Sequence, residues 1–360
     1  MDPFLISIIQ IIIGIYMLFL GGNLFVQGSV ALAIILGIPQ LLIGLTVVSL
    51  GTSAPEFFVS ASSVLRGADT LAVSNAIGSN IFNILVVLGL SSIIIPLKVE
   101  SRLIRRDVPL LLAISCAFWG MSSPGKLTWQ AGFALLIGLV INTIWEIKTA
   151  RDIPTSIKDG EPEIDIENNN TGLKSSTLKI LIGITILNIG SNILIKGSIT
   201  VATLLGISES IIGLTIVSAG TSLPELITSV IAALKGKTDL AIGNVVGSNI
   251  LNQLLVIGSA ALIAGNSGLI VENILIERDI PFMVATTLAL HPIFWSNGEI
   301  NRQEGLILVN LYIFYILDKV IPIIAPDYAY TYKILLIGIV IPISILLIAL
   351  QSIKYYLRVK

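Results

Sequence analysis

The sequence predicts an all-α polytopic membrane protein built from two inverted-topology five-helix repeats plus one extra C-terminal transmembrane helix. Three observations predict it. The 360 residues are 54% hydrophobic and only 12% charged, with a mean hydropathy of +0.95, whereas a soluble domain carries roughly 25% charged residues. Apolar stretches near the ~20 residues that a helix needs to cross a bilayer recur eleven times. The segment Gly44-Leu45-Thr46-Val47-Val48-Ser49-Leu50-Gly51-Thr52-Ser53-Ala54-Pro55-Glu56 returns 169 residues later, from Gly213 to Glu225. Five spans per copy is an odd number, so the second copy enters the membrane from the opposite side.

In chain order, the spans are expected at Phe4–Leu36, Leu41–Leu65, Leu71–Ile95, Asp107–Met121, Thr128–Ile147, Leu178–Leu205, Ser210–Leu234, Leu240–Ala264, Ile280–Trp295, Glu304–Ile321 and Ile334–Ile353. The first lacks a basic leader and an A-x-A-like cleavage site, so it reads as a retained span. Residues 1–147 form the first repeat, 178–321 the second, and 322–360 the extra helix with a basic cytoplasmic tail. Between the repeats, 148–177 reads as a flexible cytoplasmic linker on its polar, acidic composition. Its Asp159–Asn170 run contains no D-x-D-x-D-G calcium loop. The sequon at Asn169-Asn170-Thr171 carries no meaning on the cytoplasmic side.

The duplication runs without a gap. Asn23 aligns with Asn192, Gly28-Ser29 with Gly197-Ser198, and Asn75–Asn83 with Asn244–Asn252. Lys and Arg set the orientation. With the N-terminus outside, Lys98, Arg102, Arg105, Arg106, the linker basics, Lys235, Lys237, Arg302, Lys354, Arg358 and Lys360 gather inside, while Arg66, Lys126, Arg278, Lys319 and Lys333 fall outside. The C-terminus is then cytoplasmic, in a multi-pass protein of the cell membrane. Trp119, Trp129, Trp145 and Trp295 fall at span ends and read as interfacial anchors.

Composition also excludes. A net charge of −1 with no basic patch argues against nucleic acid as a partner. The single cysteine, Cys116, excludes a disulfide framework and any multi-thiolate metal centre. The chemistry sits in the repeated motif. Pro55 and Pro224 cannot donate to the carbonyls four residues back, those of Gly51 and Gly220. Asn75, Ser79 and Asn83 share one helix face, as do Asn244, Ser248 and Asn252. With Thr52, Ser53, Glu56, Thr221, Ser222 and Glu225 these stripes would ring a central cavity, although Ser, Thr and Asn also serve simply to glue membrane helices together. Glu56 and Glu225 are harder to read as glue. A buried charge is costly, and neither motif contains a Lys or Arg to neutralise it. An all-oxygen set around two carboxylates suits a hard cation such as Ca²⁺ or Na⁺.

The paired G-T-S-x-P-E and G-S-N-I-x-N segments resemble the alpha repeats of the sodium/calcium exchangers in the cation/calcium antiporter superfamily. The resemblance implies a secondary antiporter that exchanges Na⁺ for Ca²⁺ by alternating access, with the first spans of the two halves sliding across the rest. It implies metal ligands at Thr52, Ser53, Glu56, Ser79 and Asn83, and at Thr221, Ser222, Glu225 and Ser248, with the carbonyls of Ser49 and Ser218 contributing. Asn252 takes the last position, where many such exchangers carry aspartate, which puts the ion stoichiometry in question. The expected partners are Ca²⁺, Na⁺ or alternatively H⁺, and the lipid bilayer. Nothing in the sequence calls for a cofactor or an obligatory protein partner.

Four rival readings stand beside this one. Proton-coupled calcium exchangers usually carry G-N-x-x-E in the motif, which is absent here; an exchanger for another divalent ion shares the architecture. A passive channel suits broken helices with buried acids in an inverted repeat less well. An intramembrane enzyme would need a Ser–His pair or a G-x-G-D aspartyl pair, and the only histidine, His291, sits beside Pro292 near a span end. The chain is therefore expected not to be an enzyme.

Overall fold

Hydrocarbon offers the backbone no hydrogen-bonding partner, so a chain this apolar must satisfy its own amides within helices. The computed structural model describes residues 3–37, 40–152, 172–204, 218–295 and 298–336, with isolated positions 338, 342 and 346. Among these, six helices are long and apolar enough to cross a membrane, and the bent pair Leu41–Thr52 and Ala54–Leu65 makes a seventh span. The fourth and ninth spans are shorter α-helices, Val108–Ser122 and Ile280–Trp295, each entered through a π-helical turn, Leu103–Asp107 and Leu275–Asp279. Charged residues in those turns are why hydropathy alone starts both spans too late.

Two boundaries of the expected linker move. Helix continues from Trp129 through Asp152 and resumes at Leu173, so Lys148–Asp152 and Leu173–Thr177 belong to spans. Residues 153–171 lie outside the described residues, as do 205–217 in the seventh span and most of the expected eleventh span. A tenth span, Arg302–Ile324, opens on a capping box formed by Asn301 and Glu304, and a further helix, Pro326–Leu335, follows it.

The third and eighth spans, Asp69–Ile94 and Thr238–Ser267, form the centre: 78% of their most apolar window is buried, against 22% for the first span. The first span, Pro3–Leu36, pairs instead with the sixth, Leu173–Leu204. Their seam is a ladder of small residues spaced by seven. Ser7, Gly14, Gly21 and Gly28 face Gly197, Gly190, Gly183 and Ser176 in reverse order, so the helices are antiparallel. A methyl group on Gly14 would lie 2.8 Å from Leu194 N and 2.9 Å from Gly190 O; on Gly28 it would lie 2.8 Å from Ser176 O. Small side chains let membrane helices approach this closely, and a seven-residue period keeps the seam on one face. At about 1.5 Å per residue these helices are about 50 Å long, so the pair must cross a ~30 Å hydrocarbon layer obliquely or project beyond it.

Two antiparallel β-ribbons lace the halves together across loops. Leu97–Lys98 pairs with Glu299–Ile300, and Lys126–Leu127 with Leu269–Ile270. They are pseudo-symmetry mates. The extra turn Gly265–Ser267 is where the second half drifts out of the constant register.

Candidate cation site

The second span breaks at Ser53 (φ −82°, ψ 5°) and bends by 41°. The seventh breaks at the equivalent Ser222 (φ −89°, ψ 10°). Each proline falls in the first turn of the helix that follows, Ala54–Leu65 or Leu223–Leu234, where its missing N–H costs nothing. Glu56 and Glu225 therefore occupy first-turn positions, at the positive end of the helix dipole. Both are fully buried.

The halves then exchange hydrogen bonds. Ser53 Oγ donates to Glu225 Oε1 at 3.0 Å, and Ser222 Oγ donates to Glu56 Oε1 at 2.8 Å. Thr52 Oγ1 donates to Asn244 Oδ1 at 3.0 Å, and Thr221 Oγ1 to Asn75 Oδ1 at 3.2 Å. Each asparagine amide turns back to its own half: Asn75 Nδ2 donates to Glu56 O and Ser60 Oγ, while Asn244 Nδ2 donates to Glu225 O and Ser229 Oγ. Asn75 and Asn244 are thus bridges, which is the gluing role that their residue type also permits. Ser79 Oγ reaches Glu56 Oε1 at 3.4 Å, and Ser248 Oγ lies 3.5 Å from Thr52 Oγ1.

A second reciprocal pair closes the crossing of the third and eighth spans. Asn80 Nδ2 donates to Asn249 O at 3.4 Å, and Asn249 Nδ2 to Asn80 O at 3.3 Å. The sequence aligned these two residues but attached no role to them. Immediately beyond, Asn83 and Asn252 each begin a π-helical stretch, Asn83–Leu88 and Asn252–Ile257. Asn83 Nδ2 donates to Asn249 Oδ1 at 3.1 Å. The second span presses against the eighth through Gly44, Gly243 and Gly247, where a methyl group would meet backbone atoms 2.6–3.2 Å away.

Several buried polar atoms at this crossing have no protein hydrogen-bond partner: Glu56 Oε2, Glu225 Oε2, Asn83 Oδ1 and both amide atoms of Asn252. Buried polar groups are nearly always partnered, so this cluster of mostly oxygen acceptors fits a cation. No Lys or Arg makes an ion pair with either glutamate among the described residues. The Ser49 carbonyl accepts from Ser53 N at 2.9 Å and from Thr52 Oγ1 at 3.4 Å. Ser218 begins the short helix Ser218–Thr221, and its side chain lies outside the described residues. The expected site residues fall into two mirror-related hydrogen-bonded clusters: Glu56 with Ser79, Ser222 and, through Asn75, Thr221, and Glu225 with Ser53 and, through Asn244, Thr52 and Ser248. Asn83 and Asn252 stand at their edge, beside the Asn80–Asn249 clamp. His291 is elsewhere, its ring packed edge-on against Trp295 at 5.5 Å.

Comparison with known proteins shows what the whole chain is similar to. The sodium/calcium exchanger protein family matches residues 6–148 and 175–320. The putative antiporter CaxA of Alkalimonas amylolytica is 36% identical over 86% of this chain and 98% of its own length. The sodium/calcium exchanger MaX1 of Methanosarcina acetivorans is 29% identical over 86% of this chain and 97% of its own. A solved structure of the sodium-calcium exchanger NCX_Mj, soaked with 100 mM Na⁺ and 10 mM Sr²⁺, superposes with a TM-score of 0.74 at 31% identity, covering 87% of this chain and 98% of that one.

Proposed function

Because the chain belongs to the sodium/calcium exchanger protein family, a family of membrane antiporters, we propose that it exchanges Na⁺ for Ca²⁺ by alternating access at the Glu56–Glu225 site. The observation that carries this reading is the pair of buried carboxylates, one from each half, tied across the interface by the other half's serine and lacking any basic partner among the described residues. Two negative charges balance one Ca²⁺ or two Na⁺. Left uncompensated in a low-dielectric interior they repel strongly, so a change of facing requires cargo. That is the logic of obligatory exchange. Na⁺ rather than H⁺ is favoured by the G-T-S-x-P-E motif at Gly51–Glu56 and Gly220–Glu225.

The proposed ligands are Thr52, Ser53, Glu56, Ser79 and Asn83 with their counterparts Thr221, Ser222, Glu225, Ser248 and Asn252, and the carbonyls of Ser49 and Ser218. The paired first and sixth spans would carry the change of facing. Phe25 and Ile184 of that pair close on Gly51, at the break itself, where a methyl group would sit 2.6–3.0 Å from them. The Lys and Arg bias supports an outside N-terminus. Radiolabelled calcium uptake into proteoliposomes, driven by imposed Na⁺ or pH gradients, tests the coupling. Uptake that needs the Na⁺ gradient is expected; uptake driven by the pH gradient alone would assign H⁺ instead.

A further inference from the structure

Equivalent arginines stand at the entry to the fourth and ninth spans, and their partners differ. Arg106 gives Nη1 to Asp107 and Glu146 and Nη2 to Asn142, so the fifth span holds its guanidinium. Its pseudo-symmetry mate is Arg278. There Tyr315 and Lys319 replace Asn142 and Glu146, and both bind Asp279 instead. Arg278 keeps only its neighbour Asp279, through Nη2 at 3.1 Å. Both arginines leave a buried Nε without a protein partner. Arg278 alone also lacks an acceptor on another span among the described residues.

A cavity of about 560 Å³ opens beside it, within the roughly 300–1,000 Å³ of small-ligand sites. Its walls are the start of the ninth span, the end of the tenth and the helix Pro326–Leu335 outside the duplication. Four charged side chains line it: Arg278, Lys333, Glu277 and Asp318. Two are bases and two are acids, yet no ion pair joins any of the four to another among the described residues. Phe282, Leu311 and Leu336 add an apolar wall. The wall is braced. Phe282 stacks on Tyr315 at 4.7 Å, and the Tyr332 hydroxyl donates to Phe314 O at 2.6 Å.

We infer that this cavity binds the headgroup of a zwitterionic phospholipid, one that carries a phosphate and a primary ammonium. Its depth fits. Tyr315, Tyr330 and Tyr332 line it, and the Trp119 indole donates to Ile276 O at 3.1 Å, next to Glu277; Tyr and Trp collect at the headgroup level of a bilayer. The charges fit as well. Arg278 and Lys333 are donors for a phosphate, as in other basic pockets between membrane helices. Glu277 and Asp318 can only accept when ionised, which suits an ammonium, and tyrosine faces attract the same cation. Because the four charges cancel, a net-anionic headgroup meets as much repulsion as attraction. Free phosphoethanolamine shares the polar chemistry, but only a lipid brings apolar carbons for Phe282, Leu311 and Leu336. Such a lipid bridges the duplicated core and the helix added to it.

Native mass spectrometry of the delipidated full-length chain tests this, with phosphatidylethanolamine or phosphatidylglycerol of matched acyl chains added back. One phosphatidylethanolamine should be retained about tenfold more tightly than phosphatidylglycerol. Lys333 is exposed, so Lys333→Gln should fold normally and weaken phosphatidylethanolamine by about tenfold. The double variant Glu277→Gln, Asp318→Asn leaves only positive charge in the lining and should reverse the preference toward phosphatidylglycerol. A damaged fold would lose both lipids rather than exchange them. Phosphatidylethanolamine should also raise the unfolding temperature of the wild-type chain more than that of Lys333→Gln. Equal retention of the two lipids by the wild-type chain, or an unreversed preference in the double variant, would overturn the inference. So would free phosphoethanolamine stabilising the chain as well as the lipid does. None of these readouts requires transport, so they stand apart from the exchange assignment above.

Discussion

The two halves agree at the centre of the molecule and disagree at its rim. Around the carboxylates the cross-half bonds come in pairs: Ser53 with Glu225 answers Ser222 with Glu56, and Thr52 with Asn244 answers Thr221 with Asn75. At the rim the mates diverge. Before the fourth span, Asp107 and Glu146 are held by Arg102 and Arg106, with Arg106 also bonded to Asn142 Oδ1 at 3.1 Å. Before the ninth, the equivalent Asp279 takes Lys319 at 2.5 Å, Tyr315 at 2.9 Å and Arg278 at 3.1 Å. Asn142 and Glu146 on one side have become Tyr315 and Lys319 on the other. A site that must serve both faces of a membrane gains from being its own mirror image. The rims meet two different solutions, and nothing requires them to match.

The sharpest way to break this comparison is at the carboxylates. Glu56→Gln and Glu225→Gln should each reduce calcium flux to background, a loss of at least ~100-fold, since each removes one of only two buried charges that can compensate the cargo. The symmetric bonding requires the two losses to match. A variant that still transports calcium, or a large inequality between the two, would mean that the mirror-image bonding is not reflected in function.

The rim should behave in the opposite way. Lys319→Met strands the buried Asp279 with only the half-exposed Arg278 and the Tyr315 hydroxyl, and breaking a buried pair on one side costs about 3–5 kcal/mol. Glu146→Gln leaves Arg102 and Arg106 both bonded to Asp107, so its loss should be smaller. Thermal unfolding of the two purified variants measures the difference. Equal losses would show that the rims are as symmetric as the core.

What the sequence made legible follows the same division. The duplication, the broken spans and the acidic ring were readable because each is a local pattern copied at a fixed offset: Pro55 with Glu56, Pro224 with Glu225. The cross-half pairing was not, since no local pattern tells Ser53 to seek Glu225 rather than Glu56. The glycine ladder was present as a seven-residue recurrence from Ser7 to Gly28 and again from Ser176 to Gly197. It escapes a hydropathy reading, which scores glycine as nearly neutral and sees only an apolar helix. The rim bridges were invisible because charged residues in the π-turns looked like loop.

Asn83 and Asn252 offer the finest test, because the sequence makes them equivalent and the structure does not. Asn83 spends its amide nitrogen on Asn249 Oδ1, while both amide atoms of Asn252 are without a protein partner. Replacing a nitrogen by an oxygen therefore has different consequences at the two positions. In Asn83→Asp the new oxygen would face the Asn249 carbonyl, exchanging an attraction for a repulsion of about 1–3 kcal/mol in a buried setting. In Asn252→Asp no hydrogen bond is lost, and the half gains a charge beside Glu225's ring of donors. Cation affinity should rise by several-fold, on the order of 1 kcal/mol for one more partly screened charge. Charge coupled per cycle should change with it. Reversal potentials in proteoliposomes read that coupling directly. Asn252→Asp should shift them and Asn83→Asp should weaken calcium binding. Identical behaviour of the two variants, or unchanged reversal potentials, would mean that the mirror extends past the clamp of Asn80 and Asn249 and that Asn252 takes no part in binding the cargo.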